Sequence, residues 1–328
     1  MSANFWLQLK KPILALAPME GVNDSAFRQL CKENGADVVY TEFVAADAIA
    51  HNAKKMMARL RFDPTEQPVI AQIFGKNPDS FTIAAKAVER LGFAGLDINF
   101  GCPARKVVAH GSGVALFREP SFARQLIQRA LDNVSIPVSI KIRTSIRKER
   151  QEIDPKNTEQ ITALDFLEAI HDLPISAIMV HGRSYEQGHQ GDVDAAMIRQ
   201  VKQRFKGIVL ANGGIFTPER VVTMLAETGA DGVGIARGSW GRPWIFQQSR
   251  QLLMDSQYQL PTPDYQAAAI LEHAQLLFAE KGAHGLLEFR KHFAYYIAGF
   301  PGAAALRRRA VRVTTLADVE SVVRDLPR

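Results

Sequence analysis

Gly95-Leu96-Asp97-Ile98-Asn99-Phe100-Gly101-Cys102-Pro103 is the stretch on which the fold is read. Its first six residues have the apolar pattern of a buried strand, and that strand stops at a thiol set between glycine and proline. Gly101 permits a backbone turn that a side chain would obstruct, and Pro103 fixes the outgoing φ. Asn99 and Lys106 bring polar groups to the same strand end. A cysteine that merely fills a core has no need of such a turn. Cys31, inside the helical pattern AFRQLCKENG, is read as that ordinary core residue, and Cys102 as a thiol on display.

Working outward, seven more short apolar runs have the same character, at residues 13–18, 36–43, 68–74, 138–143, 177–182, 208–212 and 231–236. Amphipathic helical patterns lie between them at 24–34, 78–91, 120–133, 164–172, 193–205 and 217–227. Asn77-Pro78 and Thr217-Pro218 mark helix starts, where a capping side chain precedes proline at the first helical position. Eight strands alternating with helices predict a parallel α/β fold, and the count favours a (β/α)8 TIM barrel. The alternative, a doubly wound sheet, would carry a glycine-rich loop after its first strand, and none follows residues 13–18. Gln259-Leu260-Pro261-Thr262-Pro263 reads as a linker. The expected organisation is a catalytic barrel over 1–258 and a small helical C-terminal domain over 264–328. The polar segment 147–158 reads as an enlarged loop after the fifth strand.

The chain has 328 residues, 47% hydrophobic and 23% charged, and no apolar run reaches the ~18 residues of a membrane span. Residues 1–12 lack the apolar core of a secretory leader. Two cysteines give neither a disulfide framework nor metal-ligand spacing. We therefore expect a cytoplasmic monomer with no membrane and no metal partner. The net charge of +6 is compatible with a polyanionic partner. Arg290, Lys291, Arg307, Arg308, Arg309 and Arg312 lie between Phe289 and Leu316 with no Asp or Glu among them, so they form a candidate phosphate-binding face. The interleaved Phe289, Phe293, Tyr295, Tyr296 and Phe300 can pack inward while the cations project outward.

In a barrel of this kind the working residues gather at the C-terminal ends of the strands. Pro18 and Met19, Gln72, Cys102, Lys141, His181, Asn212 and Arg237 all fall there, one position or pair per strand. Lys141, flanked by Ile140 and Ile142, has to point into the lumen. Asn212-Gly213-Gly214 and Ala236-Arg237-Gly238 occupy the place where barrels bind a phosphate through backbone N–H groups.

Asn99-Phe100-Gly101-Cys102-Pro103, taken in order with Ala17-Pro18-Met19-Glu20-Gly21, Lys141-Ile142-Arg143, His181-Gly182-Arg183 and Ala211-Asn212-Gly213, resembles the tRNA-dihydrouridine synthase family, and within it the bacterial B-type branch. Arg290-Lys291-His292 and Gly299-Phe300-Pro301-Gly302-Ala303 match the C-terminal region of that branch. The resemblance implies FMN as cofactor, NADPH (or NADH) as reductant and tRNA as substrate. It implies reduction of a uridine C5=C6 bond, with hydride from reduced flavin delivered to C6 and a proton to C5 from Cys102. A flavin needs an apolar wall, hydrogen bonds to its pyrimidine edge and a cation near N1. Pro18, Met19, Glu20, Gln72, Lys141, His181, Asn212, Gly213, Gly214, Ala236 and Arg237 are the residues expected to bind it. Asn99, Lys141 and His181 are expected at the base, and the six C-terminal cations at the tRNA backbone. Ala236 departs from the family's usual Gly-Arg at that position, which fits if the turn there is an ordinary one. The rival readings are a flavin dehydrogenase for a free pyrimidine of the dihydroorotate type, a tRNA-binding barrel that has lost catalysis, and a Lys141 Schiff-base aldolase.

Overall fold

Strands buried on both faces read as near-continuous apolar runs, because neither side meets water. Eight such strands close into a parallel barrel in the computed structural model, which describes residues 4–148 and 158–327. In chain order the strands are β1 (Ile13–Leu16), β2 (Val38–Ala45), β3 (Val69–Phe74), β4 (Gly95–Asn99), β5 (Val138–Arg143), β6 (Ser145–Arg147), β7 (Gln160–Thr162), β8 (Ala177–His181), β9 (Ile208–Asn212) and β10 (Gly232–Ile235). β1 pairs with both β2 and β10, so the sheet closes and has no open edge. The (β/α)8 barrel expected from the alternation is therefore present.

β6 and β7 stand apart as an antiparallel hairpin at the barrel mouth. The sequence reading had only a loop here, since three-residue strands are too short to leave a periodic signal. Most of the enlarged loop, residues 149–157, lies outside the described residues.

Alternate residues of each strand face opposite ways. Ile140 and Ile142 join the layer between strands and helices. Ser139, Lys141 and Arg143 share the opposite, lumenal face of β5. The lower lumen is filled by Ile13, Ala15, Val38, Tyr40, Ile70, Ala177, Met179, Ile208 and Leu210. Above that apolar plug the lumenal positions become polar, and the site begins there.

The helices start as their caps dictate. Asn77 accepts from the backbone of Asp79 and Ser80 ahead of Pro78–Arg90, and Thr217 from Arg220 ahead of Pro218–Thr228. The helix Ile245–Asp255 was not read in the sequence, and Trp244 at its start makes no side-chain cap. Beyond it Pro263–Lys281, Ala283–Tyr296, Ala303–Ala310 and Leu316–Arg324 pack around a second apolar core that includes Leu277, Leu286, Phe289, Phe293 and Val319. Ala26 and Trp244 from the barrel side join this core. Phe289 and Phe293 point inward as expected, whereas Tyr295 is 48% exposed.

One buried ion pair fixes the first helix to the connection between β2 and β3. Arg28 Nε donates to Glu66, and its two terminal nitrogens donate to the carbonyls of Asn23 and Arg61, each at 2.7 Å. Glu66 also accepts from Ser25 Oγ and the Asp63 backbone. Both side chains are essentially inaccessible. Removing one partner of such a pair strands the other, at a cost of about 3–5 kcal/mol. We expect Arg28→Met to lose stability on that scale in urea unfolding, and Arg28→Met/Glu66→Leu to recover most of it. A loss within experimental error for the single variant would contradict the buried pairing.

Candidate active site

Asn99 ends β4 with its side chain in the lumen. Its Oδ1 accepts from the backbone N–H of Gly101 at 3.0 Å and of Cys102 at 2.8 Å. Asparagine favours this local turn because its amide oxygen mimics a backbone carbonyl. Asn99 Nδ2 donates to Gln72 Oε1 at 2.9 Å, and Gln72 Nε2 donates to Asp97 Oδ2 at 2.7 Å. Ser139 Oγ donates to the other carboxylate oxygen at 2.6 Å. An ionised carboxylate can only accept. Asp97 therefore obliges Gln72 to present its NH2 downward and its oxygen to Asn99, and Asn99 to present its oxygen to the Cys102 turn.

Gly101 has no left-handed φ. Its requirement is one of packing, since a Cβ there would meet the Ile142 carbonyl carbon at 3.4 Å. Gly113 is the residue near the thiol that needs its freedom, with φ +62 and an added Cβ 3.0 Å from the Cys102 carbonyl. It lets the segment after Arg105–Ala109 fold back over Cys102. Cys31 is buried in its helix, as read.

Pro18, Met19, Glu20, Asn99, Cys102, Lys141, His181, Asn212, Gly213, Gly214, Ala236 and Arg237 all line one cavity of ≈ 510 Å³ at the C-terminal end of the barrel. Gln72 is fully buried one layer below, acting through Asn99. Glu20 sits at the rim, where Arg59 takes its carboxylate. Arg143, Arg183, His189, Phe43 and Trp240 also line the cavity, and the sequence reading gave them no role. Arg143 and Arg183 lie inside the Lys-Ile-Arg and His-Gly-Arg motifs, so their signal was available. His189 and Trp240 lie in loops, where no strand register marks them. Arg143 acts as a clamp, donating to the Gly101 carbonyl at 2.8 Å and to the carbonyls of Ser184 and Gly188.

Burial sets the protonation states. It pushes the Cys102 thiol up, against the pull of Lys141 and Arg143, so the neutral thiol is the form present at neutral pH. Lys141 is pushed down to about 8 by burial and then by Arg143, with Asp97 and Cys102 opposing. Asp97 is raised to about 6 by burial, held back by Ser139, Gln72 and the Lys141 charge. His181 is driven far below the ordinary histidine range by burial and by Lys141, Arg143 and Arg183. It is a neutral imidazole, able to hydrogen-bond but carrying no charge.

The rim after β9 and β10 suits an anion. Among the described residues, no protein acceptor takes the backbone N–H of Gly213, Gly214, Ala236 or Arg237. Gly213 has φ +112, and a Cβ there would come 2.7 Å from His181 Cδ2. Ala236 does not have a positive φ, so the turn is ordinary. Arg237 lies 5.5 Å over the Phe216 ring. Arg183 donates to the Gly191 carbonyl and keeps its other side toward Gly214. Among the described residues Glu20, already paired, is the one acid lining the cavity. Two guanidiniums and free backbone amides fit the phosphate of a nucleotide cofactor.

Away from the mouth, the C-terminal cations divide. Arg290 donates to the Val313 and Arg312 carbonyls, Arg307 to Ile297, and Arg309 pairs with Asp325 while also reaching Ser321. These three brace the C-terminal helices against one another from their outer side. The side chains of Arg308 and Arg312 are exposed and have no hydrogen bond or ion pair among the described residues, and Lys291 lines a cleft with Lys55 and the acids Asp24, Glu42, Glu280 and Glu288.

A parallel barrel with a protonated thiol, a lumenal lysine and an anion cradle at its mouth is the architecture of a nucleotide-cofactor enzyme. The dihydrouridine synthase family model (Dus) matches residues 15–327, and the chain belongs to that family. It is 33% identical over 92% of its length to "Probable tRNA-dihydrouridine synthase 1" of Synechocystis, covering 82% of that protein. It is 35% identical over 92% to "tRNA-dihydrouridine synthase B" of Pseudomonas aeruginosa, covering 88%. Histamine dehydrogenase from Rhizobium sp. 4-9 shares the fold over 80% of this chain and 48% of that one, with a TM-score of 0.57 at 12% identity.

The charge of Lys141 is present below its pKa and lost above it. We expect its side-chain NMR signal to titrate near 8 in the ligand-free protein. Asp97→Asn removes a stabilising negative charge, so the midpoint falls. An unchanged or higher midpoint would show that Asp97 does not act on Lys141.

Proposed function

We propose that this chain is an FMN-dependent, NADPH-driven tRNA-dihydrouridine synthase that reduces the C5=C6 bond of a uridine in tRNA. The observation that carries the reading is a thiol kept protonated by burial at the mouth of a cavity that also holds Lys141 and an anion cradle. The names of the curated relatives support the substrate. When bound, the flavin supplies the hydride for C6 of the uracil.

The protein's own residues do the rest. Gly213, Gly214, Ala236, Arg237 and Arg183 would hold the cofactor phosphate, and Pro18 and Met19 would wall the ring. Lys141 stands by with a positive charge where negative charge develops. Asn99 fixes the Cys102 turn, and Cys102 gives its proton to C5. A neutral thiol is an effective acid near pH 7, and the thiolate it leaves is favoured by Lys141 and Arg143. Neutral His181 offers a ring nitrogen to the base. The uridine has to leave its stack to enter the cavity, at a cost of a few kcal/mol. Arg308 and Arg312, exposed and without side-chain partners among the described residues, can offset that cost by binding phosphates.

We expect the purified protein to be yellow, with FMN in stoichiometric amount; a protein that takes up no flavin when incubated with FMN contradicts the reading. Cys102→Ala should retain flavin and tRNA while slowing uridine reduction by about 10²- to 10⁴-fold. Reduction at the wild-type rate would make Cys102 structural.

The division of the cations gives a separate expectation. Arg308→Gln/Arg312→Gln should fold normally and flatten the salt dependence of tRNA binding by ~0.7–0.9 log units for each phosphate no longer neutralised. Arg309→Gln, which frees Asp325, should act mainly on stability. An unchanged salt slope in the folded double variant would place the tRNA on another face.

A further inference from the structure

Asp24, His273 and His292 meet at the seam between the barrel and the C-terminal helices. Asp24 closes the loop after β1 and caps the Ser25–Glu33 helix, its Oδ1 accepting from the Phe27 backbone at 2.9 Å. His273 comes from Pro263–Lys281 and His292 from Ala283–Tyr296. Both histidines are wholly inaccessible and Asp24 is nearly so. Phe27 covers both imidazoles, with ring centroids 5.8 and 5.3 Å away.

The polar atoms of this group are only partly satisfied by protein. His292 Nε2 lies 3.3 Å from Asp24 Oδ2, and His273 Nε2 lies 4.0 Å from Asp24 Oδ1. Asp24 Oδ2, His273 Nε2 and both ring nitrogens of His292 have no hydrogen-bond partner among the described residues. Buried polar groups are normally paired, so several orphans at one point call for something between them. His273 Nδ1 is engaged with the Tyr296 hydroxyl at 3.1 Å, which leaves Nε2 as the nitrogen turned toward the carboxylate. His273 Nε2, His292 Nε2 and the Asp24 carboxylate thus converge on one point from three different elements.

We propose that Asp24, His273 and His292 form a buried binding site for a divalent transition-metal cation of the zinc class. Two imidazoles and one carboxylate suit zinc and its neighbours, whereas calcium and magnesium require oxygen donors. One ligand atom from each residue already lies within 4.8 Å of the others. Bonds of about 2.0–2.2 Å place tetrahedral ligands roughly 3.4 Å apart, so seating the ion requires a side-chain contraction of up to about 1.4 Å. Three protein ligands leave one position, which a water completes. The Tyr296 hydroxyl is the outer partner that orients His273, as ligand histidines require. The cation takes three of the four orphan atoms; His292 Nδ1 is not accounted for. The ligands come from opposite ends of the chain, which is why the sequence shows no metal-ligand spacing. A bound ion would pin two C-terminal helices to the loop that begins at Met19 and Glu20.

The test uses the full-length protein. After dialysis against chelator, wild type is titrated with Zn²⁺ and with Co²⁺, desalted and assayed for metal by mass spectrometry. One retained cation per chain is expected, with cobalt d–d bands beyond the flavin absorption and no thiolate-to-cobalt charge-transfer band. Tyr296→Phe should weaken the affinity by about 10- to 100-fold. Asp24→Asn, which keeps the helix-cap oxygen, should lose stoichiometric retention. If that variant does not fold, the wild-type titration still decides. Wild type that retains no stoichiometric zinc or cobalt overturns the proposal. So does equal retention by folded Asp24→Asn, or a thiolate band that would place the ion at a cysteine.

Discussion

Asp97 can only accept hydrogen bonds, and the geometry of the whole mouth follows from that restriction. A carboxylate in the lumen dictates which way Gln72 faces, Gln72 dictates Asn99, and Asn99 holds the two amides on which the Cys102 turn is built. Each link is buried, so each amide has one satisfied orientation and a flipped one would face donor to donor. The same carboxylate faces Lys141, and the two charges moderate each other: Asp97 helps keep the lysine protonated, and the lysine helps keep Asp97 ionised. One residue thereby positions an acid and sustains a cation.

That arrangement depends on the barrel's layering. A parallel strand buried on both faces can carry polar residues only where the lumen opens, so the apolar plug below and the polar ring above are two halves of one constraint. Register across the strands sets the polar groups side by side: Gln72 opposite Asp97, Asn99 opposite Lys141, Arg143 opposite His181, and His181 opposite Asn212. The desolvation that raises Cys102 and depresses His181 comes from the same closure. A flat sheet with the same residues would leave them wetter and closer to their ordinary protonation behaviour.

This explains what the sequence could reveal. The strands were legible because two-sided burial writes an unbroken apolar run, and the lumenal residues because a lysine between two isoleucines has one tolerable direction. The strand-end residues other than Gln72 were rightly placed at the mouth. Asp97 was in view throughout but given no role, since its function lies in which partner accepts from which. Arg143 and Arg183 were visible in their motifs, yet one clamps loops and the other borders the anion cradle, a difference only geometry supplies. The C-terminal charge count was misleading for a related reason. Six cations without nearby acids in sequence suggested one open face, but Asp325, just past the stretch, and several carbonyl groups engage three of them.

The seam between barrel and C-terminal helices carries this geometry outward. The segment from Ala17 to Asp24 has Met19 and Glu20 at the cavity and Asp24 against His273 and His292. Arg59 holds this segment through Glu20 and reaches toward Glu42, which accepts from the Gly21 backbone. On the other side Trp240 lines the cavity while stacking on Tyr295 at 3.8 Å, and its edge approaches His292. The C-terminal helices thus touch the mouth at two places, through Asp24 and through Trp240, and His292 takes part in both. A shift of the Ala283–Tyr296 helix would move both walls of the cavity together. Substrate held by that helix would then be registered against Cys102 by packed side chains, with no flexible linker between them.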